Sequence, residues 1–153
     1  MKSLHLLLLC CLAATAPAKA QTAPKLPFSV DGLPIGAIPP QELPQGSCAA
    51  FLWTRTNSHG LVAMLTANPA RIRFAPGGTI TDLVRVSQQG ASDFGFSTTT
   101  DYAGGDFRSS IDIEIAKRKD LSDGARIPVA TIRIDRAGQD TVIVPAVGLI
   151  GCG

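Results

Sequence analysis

Histidine is nearly absent from this chain, and aromatic residues are sparse. Of 153 residues, two are histidine, one is tryptophan and one is tyrosine. His5 lies in the leading apolar run, which leaves His59 for any dyad or zinc site. A structural or catalytic zinc ion is held by several nitrogen or sulfur ligands, and a serine or cysteine nucleophile needs a base beside it. A single histidine in the turn cluster Thr56-Asn57-Ser58-His59-Gly60 satisfies neither demand. GxSxG and HExxH are missing as well. No catalytic residue, metal or cofactor is assigned on these grounds.

An excess of one charge is also lacking. Lys2 and Lys19 belong to the first 20 residues, and without them the 14 cationic side chains fall to 12, matching the 12 acids. Nucleic-acid binding needs clustered positive charge, so that partner is not expected. The basic triplet Lys117-Arg118-Lys119 reads as a solvated hairpin tip. Asp93-Phe94-Gly95 spells a kinase motif, but a glycine-rich loop and an HRD-type loop are missing. Asp120 to Gly124 lacks the alternate acids and distant glutamate of a calcium loop.

The apolar run Leu4 to Ala14 is too short to span a bilayer. With Lys2 before it and Ala18-Lys19-Ala20 after it, residues 1–20 read as a secretory signal peptide cleaved before Gln21. The expected location is periplasmic or secreted, with no integral membrane segment after cleavage. Cys10 and Cys11 leave with the signal, so Cys48 and Cys152 remain. In an exported chain such a pair is expected to form a disulfide. Closing a loop of roughly a hundred residues removes about 4–5 kcal/mol of unfolded-state freedom in the chain-entropy account.

Residues 21–46 contain six prolines, which bar a helix or a central strand. This segment is expected to be extended. Its apolar residues suit either a mobile tether or a strip lying across the following domain, residues 47–153. From Cys48 onward the apolar period is two rather than 3.6, and no helical stripe is present. CAAFLWTR and LVAMLTA are almost continuously apolar, which implies cover on both faces, by the proline-rich segment or by a partner.

Further alternating runs follow. ASDFGFSTT (91–99) reads as one strand carrying Phe94 and Phe96 on one face. Residues 107–117 and 127–135 read as a hairpin, with Ile113 facing Ile132 and Asp112 facing Arg133. A phase shift between Val129 and Ile132 indicates a bulge near Ala130, with Pro128 unpaired. The last run is expected to break at Pro145. Asp82 shares parity with Ile80, Val84 and Val86, which admits an inward carboxylate; the alternative leaves it in the preceding turn. The fold class is all-β: a single antiparallel β-sandwich or small flattened β-barrel of about eight strands.

The most site-like stretch is residues 92–107. Asp93, Phe94, Phe96, Thr99, Asp101, Tyr102 and Asp106 combine aromatic faces, a hydroxyl and carboxylates, as a sugar or peptide site does. Phe51 and Trp53 form a candidate interaction surface. The function expected is that of an exported non-enzymatic binding or interaction module, whose partner is another exported or envelope protein or a glycan. The alternatives are a small β-barrel inhibitor of a secreted protease, using the N-terminal arm, and an acid-only enzyme acting on glycans.

Overall fold

Alternating side chains let each segment after Cys48 bury one face and wet the other, and the chain resolves that pattern by closing on itself. The computed structural model describes residues 26–153. The expected signal peptide, residues 1–20, lies outside the described residues. Nine strands follow in chain order: β1 (Ile35–Gly36), β2 (Cys48–Thr54), β3 (Leu61–Thr66), β4 (Arg71–Pro76), β5 (Thr81–Asp93), β6 (Phe96–Gly104), β7 (Phe107–Ala116), β8 (Gly124–Arg136) and β9 (Val142–Cys152). From β2 onward each strand pairs antiparallel with the next, and β9 returns to pair with β2. The result is a closed, eight-stranded up-and-down barrel. β1 is an addition at the end of β4, where Ile35 pairs with Pro76 and Gly36 with Ala75.

The seam between β2 and β9 runs in register from Cys48↔Cys152 to Thr54↔Ala146. A disulfide joins Cys48 to Cys152, with Cα atoms 4.0 Å apart. The first and last barrel strands are thus both hydrogen-bonded and covalently fastened.

Inward positions fill the barrel. Leu52, Leu65, Ile72, Phe74, Leu83, Ile111, Ile132 and Val144 are all essentially inaccessible. Burying one such side chain contributes about 1.5–3 kcal/mol. Phe74 meets Phe107 edge to face, with centroids 6.3 Å apart. Polar groups inside are partnered: the Ser109 hydroxyl donates to the Arg133 carbonyl at 2.9 Å, and Thr54 Oγ1 accepts from the Thr56 hydroxyl and the Gly60 N–H. Among the described residues no buried side-chain nitrogen or oxygen lacks a partner.

Residues 26–46 form a strap. At one mouth of the barrel, Asp31 and Gly32 turn the chain with φ of 49° and 82°. Val30 and Ile35 there join the main core. The strap then climbs the outer wall. Ile38 donates its N–H to the Leu61 carbonyl at 2.8 Å, and Gly46 donates to the Gly153 carbonyl at 2.9 Å. Beneath it, Ile38, Ala49, Met64 and Ala75 make a second small core against Leu26, Phe51 and Leu61. This is the cover that the continuous apolar runs of β2 and β3 require.

Several local expectations are corrected. Residues 91–99 are not one strand: Phe94 and Gly95, with φ of 53° and 83°, reverse the chain between β5 and β6. Two successive positive φ values are what a tight two-residue hairpin needs. Ile113 meets Ala130, Asp112 meets Thr131, and Ile132 meets Ile111. The pairing centres one residue earlier than the expected pairs require, and the connection contains a turn closed by the Leu121 N–H on the Arg118 carbonyl. The slip is even, so every side chain keeps its face. β9 runs unbroken through Pro145, whose carbonyl accepts from Arg55 just where β2 ends. The expected bulge is present: β8 shifts register against β9 between Ile127 and Ala130, leaving Pro128 without a partner.

Candidate functional site

The wall of β6 spreads the residues of the 92–107 stretch instead of gathering them. Asp93 and Phe94 sit at the turn before β6, and Asp106 at the turn after it, nine strand residues away. A strand of that length spans about 30 Å. Along β6, side chains alternate between interior and wall. Phe96 and Tyr102 are buried in the core, and Phe94 packs against it. Thr99 and Asp101 point outward.

Each of the three carboxylates has a structural partner. Asp93 receives Lys117 Nζ at 2.5 Å, tying the β5–β6 turn to the end of β7. Asp101 accepts from the Ser110 and Ser87 hydroxyls of the two flanking strands. Asp106 pairs with Arg136 at 2.6 Å, and the same guanidinium lies 4.7 Å from the Phe107 ring centre. The Lys117 ammonium, the Ser110 and Ser87 hydroxyls and the Arg136 guanidinium hold the three carboxyls below the usual range. Thr99 donates to Asp112 at 2.6 Å. Burial pushes the Tyr102 phenol well above its ordinary pKa. An acid-only glycosidase needs two carboxyls within about 5–9.5 Å, one of them protonated at working pH. Asp93, Asp101 and Asp106 make no such pair with one another.

Asp82 lies within β5, not in the turn before it, and faces outward. Leu83 is the inward residue, while Ile80, Val84 and Val86, which share parity with Asp82, are about half exposed. Its partner is Arg73 on β4, directly opposite in register. Two bonds of 2.8 Å join the guanidinium and carboxylate. This contact holds the Asp82 carboxyl below its ordinary range.

The same pair sits in a groove of about 590 Å³ on the outer wall. Its floor is formed by Met64 and Thr66 of β3, Arg71 and Arg73 of β4, and Asp82 of β5. Pro40, Gln41, Glu42 and Pro44 of the strap form one side. Gln41 braces the floor, its Oε1 accepting from Arg73 Nη1 at 3.2 Å. Proline explains the wall: with φ fixed and few N–H groups to satisfy, a proline-rich strip can lie on a sheet without joining it. Sequence reasoning did not single out this groove. Arg71 and Arg73 alternate with Ile72 and Phe74, which marks an outward face, but nothing local reveals that a segment 30 residues earlier walls it.

Phe51 and Trp53 also lie on the wall, with ring centroids 6.3 Å apart. Phe51 is partly covered by the strap. Trp53 borders an apolar hollow with Pro128, Val147 and the half-exposed Leu149. Among the described residues no cluster of three or more His, Cys, Asp or Glu is placed to hold a metal ion, and no helix is long and apolar enough to cross a membrane. No family model matches this chain, and no curated protein or solved structure does.

Proposed function

We propose that this chain is an exported, non-enzymatic binding module that meets its ligand on the barrel wall, in the groove between the strap and β3–β5. The groove itself carries this reading: its volume lies within the roughly 300–1,000 Å³ of small-ligand sites, and its apolar and charged groups converge. Two further observations support it. The barrel interior is occupied by side chains, so a ligand is left with the wall. A disulfide across the seam suits an oxidising compartment. The inhibitor alternative is less favoured, because residues 26–46 are anchored along the wall by Ile35, Ile38 and Gly46. The acid-only enzyme is less favoured because its candidate carboxylates are separated and already engaged, Asp93 and Asp106 in ion pairs and Asp101 with two serine hydroxyls.

Export is tested by the intact mass of protein expressed from the full chain. A mass starting at Gln21, with alkylation only after reduction, is expected; retention of residues 1–20 would count against export. The site is tested by amide chemical-shift mapping against a defined panel of sugars, organic acids, amino acids and short peptides. Shifts confined to Thr66, Arg71, Arg73 and the strap are expected. If no compound moves them, the reading fails. A second reading, favoured by the apolar hollow at Trp53, is self-association; Trp53→Glu should then lower the mass seen by light scattering.

A further inference from the structure

Four charged side chains line the groove, and they are of two kinds. Arg73 and Asp82 are engaged with each other through two short bonds, and Gln41 takes a third from Arg73. Arg71 and Glu42 are not so engaged. Among the described residues neither forms an ion pair within 4.0 Å, with each other or with anything else. A free cation on the floor and a free anion on the strap thus share one concavity without touching.

Arg71 stands opposite Thr66 on one side and Val84 on the other. The Thr66 hydroxyl already donates to the Pro69 carbonyl at 2.5 Å, so it is held as an acceptor beside the guanidinium. A guanidinium presents a planar fork of donors that matches a carboxylate in two-point contact. Glu42 offers only acceptors, which suits an ammonium. The groove also offers aliphatic contacts, from Met64, Pro40 and Pro44, among polar groups that include Thr66 and Asn68. No aromatic ring lines the groove, so a sugar face has nothing to stack on.

We infer that the groove takes a short zwitterionic peptide, with its C-terminal carboxylate on Arg71, its N-terminal ammonium on Glu42, and an aliphatic side chain against Met64. This rests on the groove being the ligand site. It adds the ligand class and gives Arg71 and Glu42 separate roles in reading the two ends. The locked Arg73–Asp82 pair contributes no net charge, so the two free groups set the selectivity.

The test uses alanyl-leucine and two capped relatives, N-acetyl-alanyl-leucine and alanyl-leucinamide, titrated into labelled protein. The free dipeptide should shift the amides of Thr66, Arg71, Arg73 and Glu42. Each capped form should bind about fivefold or more weakly, as for loss of one partly exposed charged contact. Arg71→Gln should weaken the free dipeptide and abolish the discrimination against the amide, leaving that against the acetyl form. Glu42→Gln should do the converse. Both side chains are exposed, so neither variant should change the melting temperature appreciably. Equal binding of capped and free peptides, or no response to any dipeptide, would overturn the inference. If another compound class shifts the groove while dipeptides do not, the ligand assignment alone falls. If nothing shifts it, the binding reading falls too.

Discussion

Gly148 illustrates how tightly the seam is built. It faces inward on β9 opposite Leu52, and a β-carbon there would collide with the Phe51 carbonyl and stand 2.7 Å from Leu52 Cδ2. Backbone cannot yield as a side-chain tip can. Gly148→Ala should therefore destabilise the barrel by about 1–3 kcal/mol, as overpacking does; an unchanged denaturation midpoint would contradict this packing. Asp82 makes a prediction of a different kind. Its folded pKa is lowered by Arg73, so its contribution is present above the unfolded pKa and is lost as pH falls through the folded one. The melting temperatures of wild type and Asp82→Asn should differ most near neutral pH and converge in acid. The difference should be small, because both partners are about 40% exposed and water screens them. Asp82 also shows why single-residue reading fails. Its parity neighbours Ile80, Val84 and Val86 are apolar, which mimics an inward face, yet only Leu83 points in. Apolar residues on a sheet's outer wall are ordinary, and parity alone does not say which side is the core.

Elements were legible where the signal was local. The Ile111–Ile113–Ile115 alternation, the phase shift at Pro128 and the turn residues at 56–60 each carry their own physical cause, and each appears in the fold. The β5–β6 hairpin was hidden because its reversal uses Phe94 at positive φ where asparagine or aspartate is usual. The groove was hidden for another reason: its two sides come from segments whose contact is a tertiary fact. The disulfide lies between these cases. A lone pair of cysteines in a chain read as exported predicts a bridge, and closure of the barrel supplies the geometry. Replacing Cys48 and Cys152 together by alanine should cost about 2–5 kcal/mol. Hydrogen exchange should locate the loss at the β2–β9 seam first, since the hydrogen bonds of β6–β8 do not depend on it. Uniform loss of protection with no preference for β2 and β9 would show that the bridge acts on the unfolded chain alone.

At the scale of the molecule, alternation with turns every few residues could not separate a sandwich from a barrel, because both bury one face of antiparallel strands. What decides it is closure, and closure follows from each hairpin adding a neighbour until β9 reaches β2. Eight strands enclose a space that side chains can fill or that can hold one small ligand. Here Phe74, Leu52, Ile72, Ile111 and Ile132 occupy it, the strap residues Val30 and Ile35 close one mouth, and Phe94 and Phe96 pack in near the other. The interior is therefore filled by structure, and the proposed ligand site lies on the wall. A long-chain fatty acid probes this directly. Added in excess at neutral pH, it should leave the methyl resonances of Leu52, Ile111, Ile132 and Val144 unmoved, whatever it does at Trp53 or Leu149 outside. A saturable shift of the inward methyls would mean that the core opens to admit a ligand, and would transfer the search for function from the groove to the barrel's centre.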